Sequence, residues 1–156
     1  MKKLLLILIG LFVFFEVKSE SDDLSGKQIL CSLETEKGLR IIQGYRFLNS
    51  LDVKVYNLFV NEYEEYFNPI LKEYSGKYST DLNTIYVNNL RDDDSGRKIS
   101  GDYKINRTTL EIKQGLVTDQ CRIIKEDLIA FFSLEYTKRK NEYDKKIEEM
   151  KKKQKL

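Results

Sequence analysis

The sequence has no histidine and no tryptophan, and its 156 residues include only one proline and two cysteines. Without an imidazole the chain cannot form a Ser-His-Asp triad, an HExxH metalloprotease site or a carbonic-anhydrase-like zinc site. Two thiols are too few for a four-cysteine zinc or iron–sulfur site. The length allows one ordinary domain. We expect that domain to be no enzyme and to need no metal or other cofactor.

The first nineteen residues have the pattern of a cleaved secretory signal. Two lysines follow Met1, and the segment from Leu4 to Phe15 is apolar apart from Gly10. This run of about 12 residues is shorter than the roughly 20 that a membrane-spanning helix needs. We therefore expect an exported protein, periplasmic or secreted, with signal cleavage near Ser19. An uncleaved membrane anchor is the alternative.

The remaining chain is formally neutral, because residues 1–19 hold three lysines and one glutamate and leave 24 basic and 24 acidic residues. Its polar start, residues 20–26, is predicted to be a flexible lead-in. In an oxidising compartment the two cysteines pair by default, which predicts a Cys31–Cys121 disulfide. Two free buried thiols are the alternative. A redox-active pair would need a Cys-x-x-Cys spacing, which is absent.

Residues 27–124 read as about eight short antiparallel strands separated by turn residues, which is typical of a β-barrel or a β-sandwich. In one run, Leu51, Val53 and Val55 alternate with Asp52 and Lys54, the pattern of a half-buried strand. A bridge between the first and the last strand suits an up-and-down barrel, because closure makes those strands neighbours. The predicted strands include Ile70–Tyr74, Tyr78–Thr80 and Ile99–Ile105. The predicted fold class is therefore mainly β.

Residues 125–156 predict a C-terminal α-helix with a basic, solvated end. Acidic Glu126 and Asp127 stand where a helix begins, and Lys151 to Lys153 stand where it ends. Apolar residues crowd the first three turns and then become sparse. We expect the first turns to pack on the sheet and the later ones to be solvated.

Part of the β region has a family resemblance. It is carried by Tyr78-Ser79-Thr80, Ile85-Tyr86-Val87, the segment from Ile105 to Ile112, and Gln120-Cys121. Over about residues 77–124 the chain resembles uncharacterised small exported bacterial proteins that are rich in β structure and lipocalin-like. The resemblance implies a β-barrel. It implies no activity and assigns no functional residue.

Clustered carboxylates suggest two chemistries, and the sequence supports neither strongly. Asp92-Asp93-Asp94-Ser95-Gly96 could attract Ca²⁺, but Gly96 occupies the fifth ligand position of an EF-hand loop and no glutamate stands at the twelfth. A solvated hairpin tip is the favoured interpretation. Five acids could in principle serve glycoside hydrolysis, but nothing in the sequence pairs them across a cleft; they are Glu62, Glu64, Glu65, Asp102 and Glu111.

Ten tyrosines and eight phenylalanines provide aromatic side chains that could line a ligand cavity. The alternative is that they form half-buried barrel surface. The candidates for a ligand-lining role are Tyr45, Phe47, Tyr56, Tyr86 and Tyr103.

The last twenty residues carry nine basic and four acidic side chains. Such a segment could contact an anionic envelope surface, and the alternative is a merely solvated helix. Nucleic acid is not expected as a partner of an exported protein. The candidate contact residues are Lys138, Arg139, Lys140, Lys145, Lys146, Lys151, Lys152, Lys153 and Lys155.

Two functional hypotheses remain. In the first, the protein is an exported non-enzymatic β domain that binds a small apolar or amphipathic ligand or a protein partner. In the second, it is an envelope-associated interaction protein that acts through its basic C-terminal helix. An enzyme that uses carboxylates or tyrosines would need polar groups that converge in a pocket.

Overall fold

The computed structural model describes residues 24–34, 38–61, 63–64, 66–114 and 117–154. Among them, eight antiparallel strands form a closed barrel in chain order, and the last strand pairs with the first. One helix follows the barrel. The elements are β1 Gln28–Glu34, β2 Leu39–Phe47, β3 Asp52–Asn61, β4 Ile70–Thr80, β5 Thr84–Asp92, β6 Tyr103–Asn106, β7 Glu111–Gln114, β8 Val117–Ile124 and α1 Leu128–Lys153. The predicted mainly β fold with a C-terminal helix is confirmed, in its barrel form.

The strands form where apolar and polar residues alternate, and they end at side chains that hydrogen-bond to the backbone of turns. In β3, Val53 and Val55 are buried in the barrel interior, whereas Lys54 between them is only partly buried. The β2–β3 turn is closed by Asn49, whose Oδ1 accepts hydrogen bonds from the backbone N–H groups of Leu51 and Asp52 at 2.8 Å. This turn geometry is what asparagine favours.

Two strand boundaries differ from the sequence prediction. β4 is one strand from Ile70 to Thr80, although the sequence predicted separate strands on either side of Gly76. The register shifts between Ser75 and Lys77, and a Cβ at Gly76 would lie 2.5 Å from a Leu90 methyl carbon. Glycine thus lets the strand continue through an irregularity that any side chain would obstruct. β6 begins at Tyr103, four residues after the predicted start at Ile99.

The barrel has two distinct ends. At the hairpin end lie the β2–β3, β4–β5 and β6–β7 turns, and at the loop end lie the β1–β2, β3–β4, β5–β6 and β7–β8 connections. Leu24 is buried in the interior core, and the Gly26 N–H donates to the Phe47 carbonyl at 2.8 Å. The described part of the predicted lead-in therefore packs against the hairpin end. The signal prediction, residues 1–19, lies outside the described residues.

The predicted disulfide is present. Cys31 and Cys121 are directly opposite each other on β1 and β8 and are bonded across 90 residues of sequence. Both are buried in the interior core. The bond therefore locks the one strand pair that closes the barrel.

Helix α1 lies against the outer face of the barrel. Asp127 caps it by accepting a hydrogen bond from the Ile129 N–H at 3.0 Å, and the Gln28 side chain accepts one from the Leu128 N–H at 2.9 Å. Leu128 and Phe132 are its buried residues. They complete a second apolar cluster with residues of the outward face of the sheet, Leu30, Ile42, Tyr56, Leu58 and Val60. In the described part of the chain, no helix is long and apolar enough to cross a membrane.

Candidate functional site

The five candidate ligand-lining aromatics do not share one surface. Tyr45, Phe47 and Tyr103 are buried in the barrel interior. Tyr56 lies on the outer face, where its ring stacks on Phe132 with centroids 5.6 Å apart. Tyr86 also faces outward, and its hydroxyl donates to an Asp81 carboxylate oxygen at 2.8 Å. Tyr56 and Tyr86 therefore do not line the interior, because they alternate with inward-facing neighbours along their strands.

The interior holds two polar side chains that the sequence reasoning missed. Gln43 is 1% exposed and Asn57 is 4% exposed. They are direct partners across β2 and β3, so both carboxamides lie on the same inward face. The sequence carries a signal for them. Gln43 lies two residues before Tyr45, and Asn57 lies two residues after Val55, so each points to the same face of the sheet as that buried neighbour.

These carboxamides form a polar cluster with interior tyrosines, which we call the carboxamide cluster: Gln43, Tyr45, Asn57, Tyr74 and Tyr103. The Tyr45 hydroxyl donates to Gln43 Oε1 at 3.0 Å, and its ring contacts Tyr103 edge-on at 6.2 Å between centroids. Tyr74 and Tyr103 both lie beside Asn57. The cluster stands on an apolar floor at the hairpin end, where Phe47 contacts Tyr78 edge-on at 4.7 Å.

Two atoms of the cluster have no hydrogen-bond partner among the described residues, namely Gln43 Nε2 and Asn57 Oδ1. The Gln43 carboxamide is near enough to lower the pKa of Tyr103, yet Nε2 makes no hydrogen bond of ordinary length and angle. A buried polar atom left unpaired costs about 1–3 kcal/mol. The interior therefore carries one unused donor and one unused acceptor on directly opposed residues of β2 and β3.

The tyrosine hydroxyls of the cluster stay neutral at ordinary pH. Burial raises the pKa of Tyr45 well above its usual value, and the nearby Tyr103 hydroxyl adds to that effect. Burial is also the main cause of the raised pKa of Tyr74 and of Tyr103. A neutral phenol can donate one hydrogen bond and accept others, so these groups can adapt to a polar ligand.

The nearest charges lie at the loop end. Lys72 is the cross-strand partner of Asn57, and its Nζ lies 3.6 Å from Asp92 Oδ2 and 3.3 Å from Asp94 Oδ2. Asp92 is largely buried, and its Oδ1 accepts hydrogen bonds from the Ser95 N–H at 2.9 Å and hydroxyl at 3.0 Å. These bonds are the main cause of the lowered pKa of Asp92.

The hydrogen bonds to Asp92 show what the acidic run from Asp92 to Gly96 does in the structure: it forms the turn after β5. Its first carboxylate, Asp92, accepts the turn hydrogen bonds and is largely buried, whereas Asp94 is exposed as a solvated tip would be. In the part of the chain that the structure describes, no group of three acidic or cysteine side chains is placed to hold a metal ion.

The acids considered for hydrolysis are scattered. Glu64 is exposed in the β3–β4 connection at the loop end, whereas Glu111 begins β7 at the hairpin end. Asp102 is exposed just before β6. Glu62 and Glu65 lie outside the described residues. The three described acids do not converge.

A groove of about 350 Å³ runs along the outer face of β8, β1 and β2 beside α1. Its apolar lining includes Leu30, Ile42 and Phe131, and its cationic lining is Arg40 and Arg122. Arg40 Nε donates to the Ser32 hydroxyl at 2.8 Å. Cys31 and Cys121 also line it, so the groove lies over the disulfide.

The basic residues of α1 fall into two stretches. Up to Lys146 the helix lies beside the β3–β4 connection, with which it encloses a cavity of about 290 Å³ lined by Arg139, Tyr143 and Lys146. Within this stretch Arg139 pairs with Glu135 at 3.0 Å and Lys140 pairs with Asp144 at 2.5 Å. Lys138, Lys145, Lys146 and the three lysines 151–153 are exposed, and Lys155 lies outside the described residues.

Comparisons of the chain with protein-family models, curated proteins and solved structures find no match.

Proposed function

We propose that the protein is an exported, non-enzymatic binding domain that takes a small amphipathic ligand into the loop end of its barrel. The observation that supports this most directly is the pair of unpartnered buried atoms, Gln43 Nε2 and Asn57 Oδ1. Native interiors pair almost all buried polar groups, so an unused donor and an unused acceptor on opposed residues invite a ligand that pairs them. Export is supported by the Cys31–Cys121 disulfide, which is typical of oxidising compartments.

The apolar part of such a ligand has suitable neighbours. Ile41 and Phe59 are direct partners across β2 and β3, one inward position nearer the loop end than Gln43 and Asn57. Ile41 packs against the interior core. A ligand that enters from the loop end would meet these apolar side chains first and the carboxamides after them. Apolar walls with a few polar groups are the usual composition of small-molecule sites.

A neutral fluorescent dye tests the proposal. N-phenyl-1-naphthylamine brightens on transfer to an apolar site, and we expect saturable one-to-one binding to the oxidised protein without its signal. Ile41→Trp places a larger side chain at the loop-end entrance and is expected to weaken dye binding at least tenfold. Fluorescence titration, supported by calorimetry, measures both affinities.

The matched control is Tyr86→Trp, which adds an indole to the outer face of β5. It is expected to bind the dye as the unchanged protein does. Absence of saturable dye binding to the unchanged protein would refute the interior site. Equal binding by Ile41→Trp and the unchanged protein would move the site elsewhere, with the outer groove as the next location to probe.

A second candidate function is contact with an anionic envelope surface through the end of α1. The observation that favours it is the exposure of Lys151, Lys152 and Lys153 beyond the docked stretch of the helix. A lysine near an anionic bilayer contributes about 1 kcal/mol of binding free energy. This function and ligand binding in the barrel are compatible.

Replacing these three lysines by glutamine tests the second candidate. We expect at least a tenfold loss of affinity for phosphatidylglycerol vesicles at low salt, measured by co-sedimentation, with unchanged circular dichroism. The matched control replaces three exposed barrel lysines, Lys27, Lys113 and Lys125, and is expected to retain most of the affinity. An equal loss in both triple variants would mean that net charge, and not the helix end, determines binding.

A further inference from the structure

We propose that the carboxamide cluster selects an uncharged head group that accepts one hydrogen bond and donates another, such as a primary alcohol, and rejects carboxylates. This inference rests on the proposed function and specifies the ligand class of the same site. Gln43 Nε2 offers an N–H, and Asn57 Oδ1 offers a lone pair. An alcohol oxygen can accept from the first while its O–H donates to the second.

The register places the two groups within reach of one head group. Gln43 and Asn57 are directly opposed, and side chains of directly opposed residues stand about 4.5–5.5 Å apart at Cβ. Their other amide atoms lie among tyrosines, since Gln43 Oε1 accepts from Tyr45 and the Asn57 side chain is near enough to lower the pKa of Tyr74 and of Tyr103. These contacts orient the carboxamides and leave the unpaired atoms for a ligand.

The charges around the cluster disfavour an anion. The cluster itself contains no cationic side chain, so a buried carboxylate would lose hydration without a counter-ion. It would also face the lone pairs of Asn57 Oδ1. At the loop end the Lys72 ammonium is accompanied by two carboxylates, Asp92 and Asp94, within 3.6 Å of its Nζ. These three side chains together carry a net charge of −1, so Lys72 is already paired and is a poor counter-ion for a ligand carboxylate.

A cationic head group is disfavoured for the complementary reason. An ammonium group has only donors, so it could bond to Asn57 Oδ1 but would oppose the N–H of Gln43. The raised pKa values of Tyr45, Tyr74 and Tyr103 leave no phenolate to neutralise it. Among head groups of equal size, an alcohol pairs both unused atoms and carries no charge into the interior.

Matched ligands of equal chain length test the inference: decan-1-ol, methyl decyl ether, decanoate and decylamine. Each is titrated into the oxidised, ¹⁵N-labelled protein, and the side-chain amide signals of Gln43 and Asn57 are followed by NMR. We expect decan-1-ol to bind at least tenfold more tightly than decanoate or decylamine and to shift both amide signals. The ether can accept from Gln43 but cannot donate to Asn57, and it is expected to bind more weakly than the alcohol.

Asn57→Leu supplies the matched variant. It removes the acceptor, so the preference for alcohol over ether should fall to about one, and this ratio is insensitive to a uniform change in affinity. A Tyr86→Phe variant on the outer face should keep the full preference. If Asn57→Leu fails to fold, the affinities of the four ligands for the unchanged protein still test the head-group preference.

The outcomes separate the two proposals. Decanoate binding as tightly as decan-1-ol, with the interior amide signals shifted, would overturn the head-group inference and leave the binding function intact. Alcohol and ether binding equally tightly to the unchanged protein would overturn it too. If none of the four ligands shifts the interior signals, the proposed function is refuted and the inference falls with it.

Discussion

Replacing Cys31 and Cys121 with alanine is expected to lower the free energy of unfolding by about 4–5 kcal/mol. The disulfide closes a loop of 90 residues, and on the chain-entropy model that constraint removes conformational freedom mainly from the unfolded state. A single domain of this size is stable by only about 5–15 kcal/mol. Loss of the bond would therefore remove a large fraction of the total stability.

Alanine is the appropriate replacement because both sulfurs are buried in the interior core, where serine hydroxyls would need partners. Equilibrium urea unfolding, followed by circular dichroism, measures the loss. The unchanged protein under a phosphine reductant is the matched control, and its stability should fall close to that of the double variant. A difference below about 1 kcal/mol between oxidised and reduced protein would contradict the prediction.

The bond also bears on the proposed site. The pairing of β1 with β8, from Gln28 with Ile124 to Cys31 with Cys121, is what closes the barrel. Without that pairing the sheet would have two free edges, and β2, which carries Gln43 and Tyr45, would lie next to one of them. Amide hydrogen exchange in the alanine variant should therefore rise first along β1 and β8.

Much of the fold could be predicted because its determinants are local. Period-two alternation places Val53 and Val55 on one face, and paired cysteines in the first and last strands suit a closed barrel. The bounds of β4 could not be predicted. A glycine within a strand reads as a break, and the Leu90 side chain and the Asn88 carbonyl, both distant in sequence, explain why Gly76 continues the strand.

The candidate site was predictable only in part. Tyr45, Phe47 and Tyr103 were expected near a ligand and lie in the interior, but aromatic character alone also selected the outward-facing Tyr56 and Tyr86. The alternation of inward and outward positions along each strand would have separated the inward-facing from the outward-facing aromatics. The same alternation would have placed Gln43 and Asn57 inside. Which of their amide atoms lack partners, however, depends on distances between strands. Sequence carries no record of those distances.

The second large effect concerns the outer apolar cluster. Phe132→Ala is expected to lower the free energy of unfolding by about 3–5 kcal/mol, the usual cost of removing a buried phenylalanine ring. The ring is 1% exposed, stacks on Tyr56 at 5.6 Å and contacts Phe131 edge-on at 5.4 Å. It is a central contact between α1 and the barrel, so its loss should free the helix before the barrel unfolds.

Gly44 gives this prediction its sharpest test. A Cβ at Gly44 would lie 2.5 Å from Phe132 Cε2 and 2.7 Å from a Leu128 methyl carbon, so Gly44→Ala alone should cost about 1–3 kcal/mol through overpacking. In the Phe132→Ala background most of that clash is absent, and the same substitution should cost at least 1 kcal/mol less. A double-mutant cycle from urea unfolding measures this coupling.

Leu134→Ala is the control on the same helix. Its side chain is 73% exposed, and we expect a change within about 0.5 kcal/mol. Additive effects of Gly44→Ala and Phe132→Ala would mean that the ring does not rest on the glycine. Coupling together with a silent Leu134→Ala would establish that the missing side chain at Gly44 is what lets the helix approach the sheet. The helix would then be part of the folded unit up to its docked turns, and only its lysine-rich end would be available to a partner.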